Sequence, residues 1–187
     1  LRFGQVESPA EVKQLRSSAM RLMGQPSEET FRLLRPTGKM IASTRPVFQW
    51  QALSGAIEYV VTLANPQTNF VLSSEPLKAT QWNPPQALPR GQTYTWQVTA
   101  TKDGKEIKAP PPDAPEARFR VLTQTQVDEV RRAKKTYAGN HLMLGLVYAR
   151  NGLLSEAETH FKALLAANPT SALARQLLQR LRGATRG

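Results

Sequence analysis

The sequence contains no cysteine. That excludes disulfides, thiolate metal sites and cysteine nucleophiles together, and leaves any core to be held by packing alone. Histidine is nearly as scarce, at His141 and His160 only. The two fall in segments that read as different helices, with no cysteine and no suitably spaced carboxylate beside them, so no metal site is expected. No apolar run reaches about 18 residues, so no segment is expected to cross a bilayer as a helix. No secretory leader pattern stands at the start. The first residue is Leu1 rather than Met, as expected of a processed form or a piece of a longer chain.

Catalytic patterns are missing as well. There is no G-x-S-x-G, so no hydrolase elbow is expected. The Gly-Lys of "PTGKMIAS" lacks the upstream glycine and the following Ser or Thr of a phosphate-binding loop. Asp128, Glu129, Glu156 and Glu158 read as acids in the first turns of helices, where the helix dipole accounts for them. No catalytic, cofactor-binding or metal-binding residue is assigned and no cofactor is expected. The chain reads as a non-enzyme whose work is binding.

What is present begins with charge. The net charge is +11 over 187 residues, with 40% hydrophobic residues, ordinary for a globular chain. The basic excess is greatest after residue 122: that stretch holds ten Lys or Arg against four Asp or Glu. Arg131, Arg132, Lys134 and Lys135 concentrate the excess on one helix. They are the candidate contacts for an anionic partner such as a phosphate backbone or an anionic lipid. The other reading is a solvated helical face. No aromatic platform interleaves with these cations, which weighs against single-stranded nucleic acid.

Periodicity divides the chain in three: 1–30, 31–122 and 123–187. In the first part, "SPAE" at Ser8 is a capping box with proline at the first helical position. Val12, Leu15, Ala19, Leu22 and Met23 then recur at helical spacing. This amphipathic helix is expected to dock on the body, to lead from an anchor, or to contact a partner.

From residue 31 the period becomes two. Strands are expected over 31–34, 47–51, 59–64, 70–73, 80–83, 93–100 and 118–122, separated by turn signals such as Asn65-Pro66 and Asp103-Gly104. Seven short strands so spaced imply an all-β sandwich. Tyr94, Trp96 and Val98 alternate with Thr95, Gln97 and Thr99, as a half-buried strand requires. Aromatics are only 7% of the chain, and several stand at such strand positions, so Trp50, Tyr94 and Trp96 are expected in the core. Trp82 is left as the one candidate for an exposed carbohydrate-binding ring.

"RPVFQWQALSGAIEYVVTL" followed by "ALPRGQTYTWQVTATKDG" resembles the fibronectin type III family over about 31–122. The resemblance implies Trp50 on the second core strand and Tyr94 packed as a corner over the loop carrying Leu88. The proline-rich "APPPDAPEARF" departs from the family pattern and implies a displaced or bulged last strand.

Residues 124–182 read as helical. One long or kinked helix is expected from about 124 to 150, with Gly139-Asn140 its only weak point. Ser155 is expected to cap the next helix, which ends before Asn168-Pro169. Ser171 starts a last helix with Leu173, Leu177, Leu178 and Leu181 inward. The frame 138–171 resembles one tetratricopeptide repeat: Leu144, Gly145 and Tyr148 on the first helix, Gly152 at the turn, Ala157 and Phe161 on the second, Pro169 closing. His141 stands where that family prefers tryptophan, and Leu164 where it prefers a small residue. A side chain at Gly145 is expected to press on the turn of Ala157. The fold class that follows is α+β in separate parts, a fibronectin III-like sandwich and a C-terminal helical hairpin bundle.

The repeat resemblance implies a groove on the first helix at Gly139, Leu142, Leu146, Ala149 and Arg150. Of these, Leu142, Leu146, Ala149 and Arg150 are the candidate partner-binding residues. Leucines at 142 and 146 depart from the basic clamp that takes acidic C-termini, so an apolar helix or extended segment is implied. The other reading buries these leucines against the sandwich or the N-terminal helix. The order sandwich then repeat is similar to extracytoplasmic parts of bacterial membrane-anchored regulators, some of them anti-sigma-like. That similarity implies a protein partner and a periplasmic or extracytoplasmic setting rather than a cytoplasmic one. Nothing in the residues speaks to oligomeric state.

Overall fold

Every second residue of "EYVVTLAN" is buried: Tyr59, Val61, Leu63 and Asn65 turn to one side of an eight-residue strand. The computed structural model describes residues 30–186 and places this strand near the centre of the larger of two sheets. The strands are β1 (Leu33–Arg35), β2 (Lys39–Ile41), β3 (Phe48–Trp50), β4 (Glu58–Asn65), β5 (Phe70–Ser73), β6 (Gln81–Trp82), β7 (Thr93–Lys102), β8 (Lys105–Ala109) and β9 (Ala117–Val121). The helices are α1 (Gln124–Thr136), α2 (His141–Arg150), α3 (Leu154–Ala167) and α4 (Ala172–Arg186). The helix expected over 8–24 lies outside the described residues.

A three-stranded sheet runs β1-β3-β6 and a larger one β2-β9-β7-β4-β5, with β8 also paired to β7. The pairings are antiparallel except β2 with β9. Rings from both sheets meet between them. Phe48 of β3 lies edge-on to Trp96 of β7 at 4.9 Å and to Phe119 of β9 at 5.5 Å. Trp50 lies 5.6 Å from Tyr59. All five rings are at most 4% exposed, so each contributes on the order of 1.5–3 kcal/mol or more of burial. Trp82 is no free platform, because it packs half-buried on Phe48 at 5.5 Å.

Two polar links fix this core to its loops. The Tyr94 hydroxyl donates to the Pro89 carbonyl at 3.0 Å, over the buried Leu88. The Trp96 indole N–H donates to the Pro36 carbonyl at 2.7 Å.

Among the described residues nine strands stand where seven were expected. The two additions are β2 and β8, both short; Lys39 opens the first, and Lys105, Glu106 and Lys108 leave the second little apolar alternation. The proline-rich segment is a bulge between β8 and β9. Ala109 pairs with Val98 and Ala117 with Trp96, so eight steps along one chain span two on its partner. Both strands still pair with β7, each with a different half of it.

The change to helix comes where the period changed. Thr123 and Gln126 cap α1 reciprocally, each side chain bonded to the other's backbone N–H. A single helix over 124–150 does not form. Gly139 takes φ 76° and Asn140 caps α2, its side chain accepting from the Met143 N–H at 3.1 Å. A positive φ costs glycine little and ends a helix where other residues would not. Ser155 is not a cap either: α3 starts at Leu154, with Leu153 at the cap position and no side-chain bond there. Ser171 does cap α4, accepting from the Ala174 N–H at 3.2 Å.

Ala174, Leu177, Leu178 and Leu181 form the inward stripe of α4, while Leu173 is 47% exposed. Leu177, Leu178 and Leu181 make a second core with Leu144, Tyr148, Leu153, Leu154, Ala157 and Phe161. Met40 of β2 and Leu122 join this helical core rather than the sheet core. The helices are thereby fastened to one edge of the larger sheet.

Candidate interaction site

The α2–α3 hairpin is set by a close approach. Gly145 is buried on α2, and a Cβ built there would overlap the Phe161 ring on α3. The obstacle is thus Phe161, one turn beyond Ala157, which is itself fully buried. Gly152, at φ 72°, makes the turn, and Asn151 ties it back through its side-chain N–H to the Val147 carbonyl at 2.9 Å.

Of the four residues expected to meet a partner, the hairpin treats each differently. Leu142 and Leu146, one turn apart on α2, are partly buried at the margin of the helical core. Ala149 is 1% exposed and belongs to that core. Its small side chain suits packing between helices and offers a partner almost no surface. Arg150 is exposed but held in an ion pair with Glu129 of α1. Gly139 lies in the exposed turn before α2.

The four basic residues share α1 and all are exposed. Arg131 pairs with Asp128 at 3.1 Å, one turn back. The Lys134 ammonium lies 5.9 Å from the Tyr148 ring centre, so part of this charge faces the hairpin rather than solvent. Asp128 and Glu129 sit in the second turn of α1, where they serve these ion pairs rather than the helix dipole.

Two features went unread in the sequence. A cleft of about 550 Å³ opens where the sheet edge meets the hairpin turn. Arg35, Lys39, Met40 and Val47 line its sheet side, and Leu154 and Ser155 its hairpin side. Lys39 donates across it to the Ser155 hydroxyl at 3.4 Å. The second feature is a contact between the two histidines, whose Nδ1 atoms lie 2.9 Å apart. The signal for it was the repeat-like frame itself, which sets His141 and His160 on facing helices. Among the described residues no group of three or more His, Cys, Asp or Glu stands close enough to hold a metal. No described helix is long and apolar enough to cross a membrane.

No known family model matches this chain, and no curated protein matches it. What geometry defines is a β-sheet part carrying four C-terminal helices.

Proposed function

We propose that the chain is a non-enzymatic protein-interaction or scaffold module, a fibronectin type III-like sandwich with a tetratricopeptide-like hairpin docked on its edge. The strand order and the Tyr94–Pro89 bond above Leu88 support the first half, since such sandwiches carry a tyrosine corner at this place. The Gly145–Phe161 approach, buried Ala157 and the Gly152 turn support the second. The likeness in arrangement to anti-sigma-like regulators supports a place in a larger bacterial envelope or regulatory protein, on the periplasmic or extracytoplasmic side.

One observation carries the binding reading. On α2, Leu144, Gly145, Tyr148 and Ala149 are buried, whereas Leu142 and Leu146 keep part of their surface in solvent. Two leucines one turn apart are the footprint that an apolar helix or extended segment reads. Arg150 borders them, paired with Glu129. The test is Leu146→Glu, comparing thermal stability and capture of binding partners from an envelope extract with the wild type. Nearly unchanged stability with lost capture is expected. If Leu146→Glu unfolds the chain as badly as Gly145→Leu, the groove is filled by the protein itself.

A second reading rests on the exposure of Arg131, Arg132, Lys134 and Lys135 along α1. It makes this helix a contact for nucleic acid or another anionic surface. Retention on DNA that falls steeply with log[salt] supports it, and no binding at about 50 mM salt removes it.

A further inference from the structure

His141 opens α2 and His160 lies in the middle of α3, yet their rings meet head-on. The Nδ1 atoms are 2.9 Å apart and the ring centres 5.2 Å apart. Nearly the whole radius of each ring therefore lies along the line joining the nitrogens. That is the geometry of one N–H pointing at one lone pair. Chelating imidazoles instead aim both lone pairs at a third point, which brings the ring centres closer for the same nitrogen separation. The pair is thus built around a proton rather than a metal ion.

We infer that His141 and His160 form an acid-sensitive clasp on the helical hairpin, closed by one proton between the facing nitrogens and opened when both rings are protonated. A neutral imidazole offers one donor and one acceptor, so two neutral rings, or one neutral and one charged, can share the bond. Two imidazolium rings present N–H to N–H at hydrogen-bond distance and repel. Tyr148 of α2 stacks on His160 at 5.2 Å and 15°, which keeps the ring from swinging away to solvent.

The charges acting on His160 come from two neighbouring helices and have the same sign. Burial holds its pKa below the ordinary histidine value, and the positive charges of His141 on α2 and Lys134 on α1 add to this. Glu156, one turn earlier on α3, is exposed, and water screens it. The unfolded chain carries ordinary histidines near about 6.5. Below that pH it binds more protons than the folded chain, so stability falls as the pH falls. The clasp contributes fully above about 6.5 and is lost as pH drops through the lowered folded value. A partner seated on Leu142 and Leu146 would be released by the same acidification, because the loosened hairpin carries both.

The test uses the full chain, melted under far-ultraviolet circular dichroism at pH 7.5 and pH 5.0, with His160→Gln beside the wild type. Glutamine keeps a donor and an acceptor but does not titrate. The expected result is a lower wild-type midpoint at pH 5.0, with at least half of that drop absent in H160Q. Proton NMR of the wild-type imidazoles should show His160 titrating below the usual histidine range. A wild type whose midpoint does not fall, an H160Q variant that keeps the whole drop, or two rings titrating together as ordinary histidines would overturn the clasp. Should H160Q fail to fold, the wild-type NMR titration decides alone.

Discussion

The Phe161 ring on α3 fills the space in which any side chain at Gly145 on α2 would begin. Alanine is the better helix former by about 1 kcal/mol, so on propensity alone Gly145→Ala would stabilise. The overlap reverses the sign. Gly145→Leu should cost about 1–3 kcal/mol by overpacking, with Gly145→Ala at the lower end. Urea unfolding followed by helical ellipticity measures both. Phe161→Leu combined with Gly145→Ala should cost less than the two changes added, because each makes room for the other.

Trp50 is 1% exposed and sits between Tyr59 and the rest of the sheet core. Trp50→Ala should destabilise by about 3–5 kcal/mol, as large core truncations do. An unchanged thermal midpoint would refute the packing described. Its indole N–H is buried without an acceptor, so Trp50→Phe should cost much less than alanine does.

Tyr94→Phe removes the bond to the Pro89 carbonyl and little else. The expected loss is about 1 kcal/mol, the net worth of one such bond. Burial pushes the Tyr94 phenol up to about 12. In an ultraviolet absorbance titration of the folded chain, one tyrosine should therefore ionise late, and Tyr94→Phe should abolish that late phase.

Met40 stands on β2 but is packed, 4% exposed, in the core of the helices. Met40→Ala should cost about 2–5 kcal/mol. The loss should fall on the junction. Helical ellipticity is expected to disappear at a lower denaturant concentration than the fluorescence change of Trp50 and Trp96. Coincident transitions in the variant would show that Met40 does not couple the two parts.

Local pattern carried the strands with strict alternation, such as β4 and β7, and the passage to helix at Thr123. It carried less wherever a distant partner decides. β2 has three residues and a parallel neighbour, β9, that lies far along the chain. β8 reads as "KEIKA", with charges on its exposed edge, and is a strand because β7 accepts it. The break between α1 and α2 was marked by Gly139-Asn140, but the Asn140 side-chain cap, not the residue types alone, separates a break from a kink. Leu173 faced outward although it kept helical spacing, because Ala174 fills the neighbouring inward position. The candidate groove was half legible. Leu142 and Leu146 followed from the frame, whereas the burial of Ala149 and the Glu129 partner of Arg150 needed the positions of the neighbouring helices.

The bulge between β8 and β9 separates two tasks that one continuous strand would have bound together. β8 only completes the far end of β7, whereas β9 sets the register from which Leu122 and the helices leave the sheet. Residues 110–116 therefore act as slack. Lengthening a surface loop costs little, about 0.6 kcal/mol per doubling, and here it moves neither ladder. Segments inserted after Asp113 should leave both cores in place, which makes this the natural position for grafting a peptide or label onto the molecule.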